Sequence, residues 1–124
     1  MFFSRPAGVK FVDRGDSESY DFITTDFIRD GTWREKDLSG IVPKNAVAVV
    51  LFMLLNANAA NASMSFRKNG NTNVYNIQQV YTQVVDQLAT YQVLIPLKSE
   101  AKVDYNASVD TWAVLYVAIN GWFV

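Results

Sequence analysis

The sequence predicts an all-β fold: an antiparallel β-sandwich with jelly-roll connectivity and an N-terminal arm. Three observations carry that reading. Most segments after residue 45 are rich in Val, Ile, Tyr, Phe and Thr, which lose rotamer freedom in a helix and pack well on a pleated surface. Some of them alternate apolar and polar residues with a period of two. Turn dipeptides, Asp30-Gly31 and Asn69-Gly70, fall between such runs. Seven or eight short strands separated by turns make a sandwich, and 124 residues make a single domain, 1–124, with its own core.

Residues 1–19 are read as an arm or outer segment and residues 20–124 as the body. Charge is concentrated in the first third of the chain. Residues 1–44 hold seven Lys/Arg and eight Asp/Glu, whereas 45–124 hold four of each sign, ten asparagines and five glutamines. Around Asp30-Gly31, the stretches Asp21–Arg29 and Thr32–Lys36 are expected to form a hairpin. The run AVAVVLFMLL, 46–55, is the next strand, followed by a short turn near Asn56–Ala62. Asn69-Gly70 predicts a second hairpin closed by a type I′ turn, entered by Ser65-Phe66-Arg67 and left by Val74-Tyr75. In NVYNIQQVYTQVVDQLA, 73–89, the apolar spacing suits a helix but the residue types suit a strand, and strand is preferred. TYQVLIPL, 90–97, stops near Pro96. KVDYNA alternates with Val103, Tyr105 and Ala107 on one face. TWAVLYVAINGWFV, 111–124, is a long strand that Asn120-Gly121 bends or interrupts with a bulge.

Chemistry is narrowed mainly by what the sequence lacks. It contains no histidine and no cysteine, so the commonest general base, thiol nucleophile and transition-metal ligands are missing. A non-enzymatic protein without a cofactor or metal site is expected. In the acidic run Asp13–Glu18, Gly15 falls too early and Arg14 adds the wrong charge for a calcium loop. A net charge of −1 offers no field for nucleic acid, and four cations against four acids in residues 45–124 make no basic groove. The longest apolar run has ten residues, too few for a membrane-spanning helix.

The strand at 46–55 is the anomaly. An antiparallel strand with one wet face should alternate, yet Val47, Val49, Leu51, Met53 and Leu55 fall on one face and Ala46, Ala48, Val50, Phe52 and Leu54 on the other. A two-layer sandwich covers only one of these. Either the chain's own arm or another subunit covers the second, and a homo-oligomer, trimer or dimer, is the expectation. The terminus MFFSRP places Phe2 and Phe3 where a chain normally frays, which suggests a docking arm with Arg5 paired to an acid on a partner. A second set of residues, Trp33 and Trp122 with Asn71 and Asn73, has the composition of a glycan platform.

The order DLSGIVPKNAVAVVL (37–51), SFRKNGN (65–71), VYTQV (80–84) and TWAVLYVAINGWFV (111–124) resembles small β-sandwich virion proteins of tailed bacteriophages, both capsid decoration proteins and tail-fibre domains. The resemblance spans residues 33–124 and brings no catalytic residues with it. It implies a structural protein of a phage particle, made in the host cytoplasm and resident on the capsid surface. There it would act as a cement protein, with itself and the major capsid protein as partners; Phe2, Phe3, Arg5, Phe52 and Leu54, singled out above from the residues themselves, are the expected contacts. The tail-fibre version implies a receptor-binding module for a bacterial surface glycan. At 46–55 the sequence departs from the family pattern: Phe52 and Leu54 stand where a charged outer residue is expected, which favours packing between subunits.

Overall fold

The computed structural model describes residues 8–124. Phe2, Phe3 and Arg5 lie outside the described residues. Eight strands follow one another: β1 (Phe11–Asp13), β2 (Arg34–Asp37), β3 (Ala48–Ala57), β4 (Ser63–Lys68), β5 (Gln78–Tyr81), β6 (Ala89–Pro96), β7 (Lys102–Ala107) and β8 (Trp112–Phe123). They form two four-stranded antiparallel sheets in the orders β1-β8-β3-β6 and β2-β7-β4-β5. The pairs β1–β8, β2–β7, β3–β6 and β4–β5 are nested one inside the next. The chain is therefore one long two-stranded ribbon, with the β4–β5 hairpin at its tip, rolled so that β8 meets β3 and β7 meets β4. This is the jelly roll that the sequence predicts.

The core lies between the sheets. From β3 it takes Val49, Leu51, Met53 and Leu55, from β8 Leu115, Val117 and Ile119, from β4 Met64 and Phe66, and from β7 Val103 and Tyr105. Phe27 enters from the connection before β2, edge-on to Tyr105 at 5.1 Å, and the Tyr105 hydroxyl accepts a hydrogen bond from the Ile28 amide.

Three local expectations are corrected. Asp21–Arg29 is not a hairpin strand. It contains a 3₁₀ turn at Thr24–Asp26, closed by the Asp26 carboxylate accepting from the Ile23 amide, and Phe22 bridges to Val117 of β8. Sequence distance misled here, because the partner of this segment lies at the far end of the chain. The 73–89 strand shrinks to β5, four residues, because positive φ at Asn76 (62°) and Asp86 (59°) breaks the extended run at both ends. The turn at Asn69-Gly70 is not type I′: only Gly70 has positive φ (85°), and the Asn71 amide donates to the Lys68 carbonyl across it. The β4–β5 connection then runs on to residue 77, so the hairpin exists but its loop is long.

Asn120 is the bulge the sequence suggests. Val50 pairs with Gly121 and Leu51 with Ile119, leaving Asn120 as the extra residue. Just beyond the bulge, β1 lies against β8 with Phe11 beside Phe123 at 5.3 Å. A side chain at Gly121 would fall on the Val12 carbonyl oxygen and the Phe11 ring, so glycine there is what lets β1 seat.

Candidate functional site

Directly opposed residues of an antiparallel pair share a face. Because Val49, Leu51 and Met53 point into the core, Val50, Phe52 and Leu54 point out of the β1-β8-β3-β6 sheet. The register adds their neighbours. Val50 faces Leu94 and Gly121, Phe52 faces Gln92 and Ala118, and Leu54 faces Thr90 and Tyr116. Phe11 and Phe123 continue the surface at one end. The outer side of this sheet is thus an almost unbroken apolar surface, with Gln92 and Thr90 as its polar margin on β6.

Inside one copy, Phe52 and Leu54 are half-buried, shielded by the flanking strands. The leading segment reaches only the β8 side: Tyr20 stacks on Tyr116 at 5.2 Å, and Ser17, Glu18 and Tyr20 line a hollow with Ala118. Leu94 at 46% and Phe11 at 49% remain too exposed to belong to a closed layer. Among the described residues, no strand or α-helix lies over this face.

The leading segment is fixed along the free edge of β8. Lys10 and Val124 exchange amide-to-carbonyl hydrogen bonds at 2.9 Å each way, and the Arg14 amide donates to the Asn120 carbonyl at 3.0 Å. The Arg14 guanidinium donates to both Asp21 oxygens, at 2.6 and 2.7 Å, and Asp21 also accepts from the Ile119 amide at 2.7 Å. Burial pushes the Asp21 carboxyl up, but the Arg14 and Ile119 donors outweigh it and hold the group below its ordinary value.

The other outer face has the opposite character. There Asp104, buried, accepts from Arg67 at 3.1 Å and from the Asn69 side chain at 2.8 Å, and Glu35 accepts from Asn69 at 3.1 Å. Lys102 pairs with Glu35 at 3.3 Å and with Glu100 at 3.4 Å. The network is charged, internally paired and exposed at its rim through Glu35 and Glu100.

Of the residues singled out from sequence, Phe52 and Leu54 come together with the apolar partners just named. The glycan set does not assemble. Trp33 lies before β2 with the Arg67 guanidinium 4.1 Å over its ring, whereas Trp122 belongs to the other sheet, paired with Val49 and packed against the core. Asn71 and Asn73 share the β4–β5 loop, where the Asn71 side-chain Oδ1 accepts from the Asn73 backbone amide at 3.0 Å. Sequence reasoning placed Val50 on this face but missed Leu94, Ala118 and Tyr116 as its neighbours, because only register joins residues from three distant segments. It also missed the Arg14–Asp21 pair, although both residues stand in its charged N-terminal third.

Among the described residues, no group of His, Cys, Asp or Glu is arranged to hold a metal ion, and no helix is long and apolar enough to cross a membrane. No protein-family model matches the sequence, and no curated protein matches it. A solved structure of the tobacco streak virus coat protein is similar at 11% identity and a TM-score of 0.33, covering 96% of this chain and 90% of that one.

Proposed function

We propose that this chain is a non-enzymatic structural protein of a virus particle, of the capsid-surface decoration or cement type found on tailed phages. It associates with its own copies through the outer face of the β1-β8-β3-β6 sheet. The observation that carries the reading is the central strand β3, apolar on both sides, with one side facing the core and the other lacking a layer among the described residues. Fully burying a Phe or Leu side chain is worth about 1.5–3 kcal/mol, so Phe52, Leu54 and Leu94 favour a second surface against them. Jelly rolls serve as capsid, lectin and cupin domains, so the fold alone does not choose among these roles. The apolar face favours the first.

Size bears on how the copies would meet. Strands about 4.8 Å apart and residues rising about 3.4 Å each give the face a footprint of roughly 15 by 30 Å, or about 450 Å². A stable interface buries about 800 Å² per partner. The face alone therefore supports weak pairing, and Phe2, Phe3 and Arg5 supply the remaining contact, with the capsid lattice or with a neighbouring copy.

Sedimentation equilibrium of the full chain tests this. Association into dimers or trimers is expected, and Phe52→Glu should weaken it at least tenfold while leaving the circular dichroism spectrum unchanged. A chain that stays monomeric at millimolar concentration and does not bind purified phage capsids would overturn the reading.

A further inference from the structure

A second surface uses none of the side chains assigned to self-association. At one mouth of the sandwich, the β4–β5 loop of one sheet approaches the end of β6 in the other, enclosing a cleft of about 410 Å³. Its lining includes Lys68, Lys98, Asn69, Asn71, Asn76 and Pro96. Clefts of about 300–1,000 Å³ are the size that holds small ligands.

The charges in the cleft are unspent. Among the described residues, neither Lys68 nor Lys98 has an ion-pair partner, whereas the nearby Lys102 is engaged by Glu35 and Glu100. Lys98 reaches across the turn, its Nζ 3.6 Å from where a Cβ on Gly70 would stand, and glycine there supplies the φ of 85° that shapes the turn. Asn76, held at positive φ, makes no side-chain hydrogen bond to the described residues. The loop is braced from behind: Asp104 accepts from the Asn69 side chain at 2.8 Å and from the Gly70 amide at 3.4 Å, with Arg67 on the same carboxylate at 3.1 Å. A buried carboxylate thus fixes the turn while Lys68 and Lys98 line the cleft beside it.

We infer that this cleft binds an acidic saccharide, a sugar carrying a carboxylate or phosphate. The anionic group sits between Lys68 and Lys98, the hydroxyls meet the Asn76 amide, and an apolar ring face lies on Pro96. Two point charges, neutral amides and one apolar wall match that chemistry. A bare anion needs only the charges, and a neutral sugar leaves both lysines unused.

The test is amide chemical-shift titration of the isotope-labelled full chain with trigalacturonate, sialyllactose and mannose phosphate, against maltotriose and inorganic phosphate at matched ionic strength. Saturable shifts at Asn69, Gly70, Asn76 and Lys98 are expected with at least one acidic sugar. They should weaken about tenfold or more in the Lys68→Gln/Lys98→Gln double variant, as loss of charged hydrogen bonds requires. The inference fails if none of the three produces saturable shifts there. It also fails if inorganic phosphate binds as tightly, or if the double variant binds unchanged. Sedimentation of the double variant reads self-association separately, so either proposal can fall without the other.

Discussion

Gly121 and Arg14 show how single residues hold the leading segment in place. At Gly121 the nearest atoms to an added Cβ belong to Val12 and Phe11, so Gly121→Ala should lift β1 and leave the core strands paired. Overpacking of this kind costs about 1–3 kcal/mol. Hydrogen exchange should report it as faster exchange at Lys10, Arg14 and Val124, with Leu51 and Met53 still protected. Arg14 acts through charge. The Asp21 carboxyl is held below its ordinary value in the folded chain, so the unfolded chain takes up protons first as pH falls. The stabilisation is complete above the unfolded pKa, about 3.9, and is lost as pH drops through the lower folded value. Arg14→Met removes the leading donor and leaves only the Ile119 amide against burial, which raises the Asp21 pKa. Its acid-unfolding midpoint, followed by tryptophan fluorescence, should move to higher pH. In an Asp21→Asn background the same Arg14→Met change should move the midpoint little.

At the scale of the strand, β3 separates two roles that its sequence runs together. Leu51 is buried in the core, so Leu51→Ala should cost about 2–5 kcal/mol in urea unfolding at any protein concentration. Phe52 is only half-buried, so Phe52→Ser should cost less in dilute solution and show its main effect on association. The contrast explains what could be read in advance. The bounds of β7 and the bulge at Asn120 were legible because period-two alternation and an Asn-Gly pair are local signals. Both apolar faces of β3 were legible for the same reason, and so were Phe52 and Leu54 as surface candidates. The partners Leu94, Ala118 and Tyr116 were not, because register is decided by pairings across the whole chain. The bridge from Phe22 to Val117 was hidden for that reason too, and the Asp30-Gly31 dipeptide pointed to a nearer partner that the fold does not use.

Across the whole molecule, nested pairing places the first strand against the last. Closing such long loops must precede the contacts that reward it, so refolding should take milliseconds to seconds rather than microseconds. Pulse-labelled hydrogen exchange should find the β4–β5 hairpin protected before the β1–β8 pair. If β1 and β8 are protected first, the rolled-ribbon order of assembly is wrong. The two broad sides of the sandwich differ in kind: one is greasy, the other a bonded lattice of Asp104, Arg67, Asn69 and Glu35. Two copies placed back to back would hide the greasy side of each and turn the charged sides outward. As far as the sheets go such a couple is self-limiting, since each face is used once, and a third copy or a longer stack would need glue from elsewhere, such as the leading residues.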